Sequence, residues 1–197
     1  MNKLIETFCD VDDFCQLFVT QWQKMLLENG EIKRRRACRL SLSEVMTIII
    51  HFHQSHYRNF KNYYLLYVCR ELKGYFPELL SYTRFLGVTA NAVIPMSSYL
   101  QSKLGKPTGI QFVDSTKIEV CHIMRAKRSQ VFEGIATHGK GTMGWSFGFK
   151  LHLIINHLGE IVSVKLTKGN VDDRKPIPEM SKGICGKLYA DKGYISK

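Results

Sequence analysis

Two aspartates close strand-like apolar runs: Asp114 in Phe112-Val113-Asp114-Ser115-Thr116 and Asp191 in Tyr189-Ala190-Asp191-Lys192-Gly193-Tyr194. Carboxylates brought together from distant strands suit cation-assisted phosphoryl chemistry, because Mg²⁺ prefers hard oxygen ligands and is held by one or two carboxylates plus substrate phosphate. Two such ions, about 3.5–4 Å apart, activate an attacking oxygen and stabilise a leaving one. Spacing alone fits solvated turn residues equally well. Asp172 and Asp173 are rival acids, but directly after Asn170 they read as first-turn partners of a helix dipole. Lys192, beside Asp191, either neutralises phosphate or faces solvent. His51 and His53 point about 200° apart on a helix, so with His56 they read as separate imidazoles and not as a ligand set. Lys150 and His152 alternate with Phe149 and Leu151, which puts them on one strand face, either beside the site or in solvent.

Positioning the two aspartates requires particular elements. Residues 1 to about 105 carry a helical period: Leu4, Phe8, Val11, Cys15, Phe18, Val19, Trp22, Met25 and Leu26 recur at three- and four-residue steps until Asn29-Gly30. Ser41-x-x-Glu44 is a capping box opening a helix to about His53. A further helix is expected from Asn59 to Lys73, with Tyr63, Tyr64 and Tyr67 at core spacing. Short helices then follow, divided by Pro77, Gly87 and Pro95. After Pro107 the period becomes 2. Strands are expected at 110–120, 147–156 and 161–167, with His157-Leu158-Gly159-Glu160 as a hairpin between the last two. Asn170 is expected to cap a helix from Val171 to about Ser181, and 188–190 to form a short strand. The resulting class is α+β: a helical region, 1–107, followed by an α/β domain, 108–197. Three strands and a helix crossover to a fourth match the opening half of an RNase H-like fold, in which the first and fourth strands lie side by side. Asp114 and Asp191 would then meet.

The chain of 197 residues has 28 Lys+Arg against 17 Asp+Glu, a net charge of +11, and 45% apolar residues, enough for a substantial core. That excess favours a polyanionic partner, nucleic acid before membrane. The run Lys33-Arg34-Arg35-Arg36 and the group Arg125, Lys127, Arg128 and Lys140 are candidate contacts for a DNA backbone, together with Lys150 and Lys192. Gly139-Lys140-Gly141 lacks the spacing of a phosphate-binding loop. The six cysteines show no metal or disulfide spacing and read as thiols of a reducing cytosol. No apolar run approaches the ~20 residues of a membrane span, so a cytoplasmic protein without membrane association is expected.

Four motifs stand in a telling order: Asp114-Ser115-Thr116; 144–152, Gly-Trp-Ser-Phe-Gly-Phe-Lys-Leu-His; 169–176, Gly-Asn-Val-Asp-Asp-Arg-Lys-Pro; and 190–196, Ala-Asp-Lys-Gly-Tyr-Ile-Ser. With Val11-Asp12-Asp13-Phe14-Cys15, the chain resembles, over nearly its whole length, the DDE transposases of the insertion-sequence-982 group. The resemblance implies Asp114 and Asp191 as the first two catalytic acids and ligands of Mg²⁺ or Mn²⁺. It also implies DNA partners, namely the element's terminal inverted repeats and target DNA, a homo-oligomer when intact, and in-line cleavage followed by strand transfer. The family's third acid has no counterpart here, since the chain ends six residues after Asp191. The expectation is therefore an incomplete, catalytically silent form of the enzyme. The alternatives are a DNA-binding remnant and a hydrolytic RNase H-like nuclease.

Overall fold

A computed structural model describes residues 2–30, 38–141 and 144–194. The basic run Lys33, Arg34, Arg35 and Arg36 lies outside the described residues. The chain divides into two compact units, 1–103 and 104–197.

The first unit is helical: α1 (Asn2–Glu28), α2 (Leu42–Gln54), α3 (Phe60–Asn62), α4 (Tyr82–Thr89) and α5 (Val93–Ser102). The capping box opens α2 as its sequence predicts. The Ser41 hydroxyl accepts from the Glu44 amide at 3.1 Å, and the Glu44 carboxylate accepts from the Ser41 amide at 2.6 Å. The helix expected to Lys73 is shorter and distorted: after α3, residues Tyr63–Val68 wind as a π-helix. That winding serves the core. Tyr63, Tyr64, Val68 and Phe85 are fully buried, Tyr64 donates to the Leu80 carbonyl at 2.6 Å, and Tyr63 shares a 2.8 Å hydrogen bond with His51. Burial lowers the His51 pKa and raises that of Tyr64 to about 12. His51 is thus part of an aromatic core. No group of three His, Cys, Asp or Glu able to hold a metal occurs among the described residues.

The second unit carries β1 (Gly109–Cys121), β2 (Thr137–Gly141), β3 (Gly144–Asn156), β4 (Ile161–Lys168), α6 (Ile177–Met180) and β5 (Gly186–Ala190). The sheet runs β2-β3-β1-β5, and β4 also pairs with β3. β3 is antiparallel to β1, β2 and β4, whereas β5 is parallel to β1. β2 takes residues 144–148 of β3 and β4 takes 149–155, so the two share one edge of that strand. The β3–β4 hairpin turns at His157–Gly159, where Gly159 adopts φ 81°. Buried Asn156 holds the turn, its side-chain oxygen accepting from the Leu158 and Glu160 amides, both at 3.0 Å.

Two expectations are corrected here. The helix from Val171 to Ser181 shrinks to four residues, 177–180. Asn170 caps nothing: its side-chain oxygen accepts from the Thr137 hydroxyl at 3.1 Å, and Asp172 folds back onto Arg174. Helix entry falls to Pro176, whose fixed φ suits a first turn and which lacks the amide that interior turns need. The connection after β1 carries structure of its own. Arg125, Lys127 and Arg128 lie on a 3-10 turn, Ile123–Arg128, and Lys140 lies on β2.

The period-2 alternation of β1 sorts its residues onto two faces. Gln111 and Val113 are buried, Ser115 and Lys117 half-buried, while Phe112, Asp114 and Thr116 are exposed. Val113 packs with Ile154, Met180, Leu188 and Tyr194 beneath the sheet. No described helix is long and apolar enough to cross a membrane.

Candidate active site

Parallel pairing of β1 with β5 runs from Gly109 opposite Gly186 to Val113 opposite Ala190. The next residues in that register are Asp114 and Asp191. Both are exposed and both project from the face that carries Phe112 and Tyr189, whose rings stack at 5.7 Å. Ligand sites of open α/β sheets lie outside the carboxyl ends of parallel strands, which is where β5 delivers Asp191. Two features hold the register. Gly186 has φ 101°, and a Cβ there would stand 2.1 Å from the Gly109 carbonyl oxygen, so only glycine permits the approach. Buried Gln111, in the amide orientation that satisfies its neighbours, donates to the Lys187 carbonyl at 3.0 Å and accepts from the Gly109 amide at 3.1 Å.

Each carboxylate spends one oxygen on the backbone amide that follows it. Ser115 N–H donates to Asp114 Oδ1 at 2.7 Å, and Lys192 N–H donates to Asp191 Oδ1 at 2.6 Å. Among the described residues, neither Oδ2 accepts a hydrogen bond from the protein. Each of these solvent-facing carboxylates thus keeps one oxygen, a hard donor of the type that Mg²⁺ or Mn²⁺ takes together with substrate oxygens.

Residues 104–197 match the family described as the transposase DDE domain. That match supports a DDE transposase. Neither a curated protein nor a solved structure matches the chain.

Beneath this exposed pair lies a polar cluster that sequence reading missed. Asp173 Oδ1 accepts from the Ser115 hydroxyl at 3.0 Å and from Lys150 Nζ at 3.0 Å, and Lys150 Nζ also donates to the Val171 carbonyl at 2.9 Å. The Lys150 side chain is only 11% exposed, so this residue, expected at a DNA surface, is an internal ion-pair partner instead. Asp173 is not a helix-dipole residue; it ties the β4–α6 connection to β1 and β3. His152, on the same face, is fully buried, with Nε2 on the Thr167 hydroxyl at 2.8 Å and Nδ1 without a partner. Burial lowers its pKa. Tyr194 closes the cluster on the β5 side. Its ring packs in the core, while its buried hydroxyl lies next to Ser115 without a well-formed hydrogen bond. Burial raises the phenol pKa, and the negative charges of Asp173, Asp114 and Asp191 add to the rise. The only sequence signal for this cluster was the alternation that set Lys150 and His152 on one face.

The remaining cations are dispersed. Lys192 is exposed beside Asp191, Lys140 is exposed on β2, and Arg125, Lys127 and Arg128 are exposed past the far end of β1. Arg125 and Arg128, with Cys121, Met124 and Ser129, line a shallow cleft. At ~3.3 Å per strand residue, Cys121 stands roughly 20 Å from Asp114 along β1.

Proposed function

We propose that this protein is an insertion-sequence DNA transposase that uses Mg²⁺ or Mn²⁺ to cleave DNA phosphodiesters and transfer the freed strand. In this reading residues 108–197 form an RNase H-like domain and the helical region engages the element's terminal repeats. The observation that supports it is the β1–β5 register: after Val113 opposite Ala190, the next positions are Asp114, within β1, and Asp191, just past the carboxyl end of β5. Asp114 and Asp191 would hold the cation, which supplies charge neutralisation at the scissile phosphate and activation of the attacking oxygen. The Ser115 and Lys192 amides orient the two carboxylates. Lys192, Lys140 and the Arg125–Arg128 turn contact the DNA backbone in this reading, and Lys33 to Arg36 remain candidate contacts by their charge alone. Work on cytoplasmic DNA as a homo-oligomer belongs to the same reading.

The test is purified full chain with Mn²⁺ and DNA bearing the element's ends. Nicking followed by joining to target DNA, lost in Asp114→Asn and in Asp191→Asn, upholds the catalytic reading. Nicking without joining identifies a hydrolytic nuclease. End-specific binding with neither reaction identifies a DNA-binding protein and overturns the catalytic reading.

A further inference from the structure

We infer that Lys150, Asp173 and Ser115 form a positioning relay that sets the Asp114 carboxylate for cation binding, an inference that rests on the proposed metal site. Ser115 is the pivot. Its side chain points to the covered face of β1 while Asp114 points to the open one, as strand alternation demands. Its hydroxyl donates to Asp173 on the covered face, and its backbone amide donates to Asp114 Oδ1 on the open face. The strand residue that holds the acid is therefore itself held from below. Asp173 is fixed in turn by Lys150, whose ammonium is anchored a second time on the Val171 carbonyl. Three chain segments, β1, β3 and the β4–α6 connection, thus converge on the amide that aims Asp114.

Groups that hydrogen-bond the ligands of a metal fix ligand orientation, and their loss typically lowers metal affinity about 10–100-fold. The neighbouring Asp172 provides the contrast, because its carboxylate is taken by Arg174 at 2.8 and 2.9 Å and touches neither strand.

A positioning relay and a simple through-space field predict opposite signs. Removing the Lys150 charge makes the surroundings of Asp114 more negative, so a field effect tightens cation binding, while loss of the relay weakens it. Ser115→Ala changes no charge, so a field effect leaves binding unchanged, while loss of the relay again weakens it. The experiment is Mn²⁺ titration of the full chain, with free Mn²⁺ read by electron paramagnetic resonance and folding checked by circular dichroism. Lys150→Met and Ser115→Ala should each weaken Mn²⁺ binding at least several-fold, and Asp172→Asn should leave it unchanged. Tighter binding in Lys150→Met with unchanged binding in Ser115→Ala would overturn the relay. Should Lys150→Met fail to fold, the isosteric Ser115→Ala decides alone: weaker binding upholds the relay and unchanged binding refutes it. Wild-type protein that binds no Mn²⁺, or binds it equally well as Asp114→Asn, would instead sink the metal site and the relay with it.

Discussion

Single side chains in this protein carry measurable pH signatures. His152 is buried with a pKa held below its ordinary value, so above about pH 6.5 it is neutral in both folded and unfolded chains and costs nothing. As pH falls from about 6.5 towards the folded-state pKa, the unfolded chain takes up a proton that the folded chain refuses, and stability drops. His152→Gln should flatten the dependence of the urea midpoint on pH between 7.5 and 5; one proton supplies at most about 1.4 kcal/mol per pH unit. An unaltered slope would show that the imidazole protonates in place. Asp10 shares that sign for the opposite reason, because here the charged form is favoured. Hydrogen bonds from Lys103 and then Tyr99 hold its carboxyl below the ordinary range. Its contribution is present above the unfolded value near 3.9 and lost as pH falls through the folded one. Because the pair is about half exposed, Asp10→Asn should cost only about 0.2–1 kcal/mol at pH 7 and nothing once the carboxyl is protonated.

At the scale of elements, the β1–β5 pair determines whether two distant acids become neighbours. Gly186→Ala must place a methyl against the Gly109 carbonyl at a positive φ, so chemical denaturation should report a loss of about 1–3 kcal/mol. Mn²⁺ stabilisation should fall with it, since the displaced β5 carries Asp191. Full stability in that variant would mean that the strand start shifts freely. The elements that were legible in sequence are those whose signal is local. The alternation in β1, β3 and β4, the β3–β4 turn and the Ser41–Glu44 box all read directly from spacing. β2 was not legible, because Thr137-His-Gly-Lys-Gly141 has no apolar alternation and becomes a strand only by pairing with β3. The crossover helix was overread: Asn170 and the two aspartates imitate a helix start, but Asn170 is held by Thr137 and Asp173 by Ser115 and Lys150, all on strands, while Asp172 folds back onto Arg174. Ser115 lies 58 residues before Asp173 and Lys150 23 residues before it, distances no periodicity can span. The parallel pairing of β1 with β5 was foreseen from the RNase H-like strand order that the succession of strands suggested.

For the whole molecule, charge is the dominant variable. With a net charge of +11, DNA affinity should fall steeply with salt, each neutralised phosphate contributing about −0.9 to the log–log slope. Replacing Arg125, Lys127 and Arg128 together by Ala should make that slope shallower by up to about 2.7 if all three touch phosphate. An unchanged slope, measured by fluorescence anisotropy across salt concentrations, would remove this turn from the DNA surface. The sheet's rim has a different consequence. β5 closes the strand order with β1 as its partner among the described residues, leaving backbone donors and acceptors along its far side. Such a rim invites a foreign strand to add on, and a lysine on it is a common deterrent. Lys187 is exposed on β5, between Gly186 and Leu188. Its ammonium would have to be desolvated before another chain could dock there, which makes it a guard of colloidal stability. Lys187→Ile should raise light scattering on storage, while Lys182→Ile, away from the strand, should not.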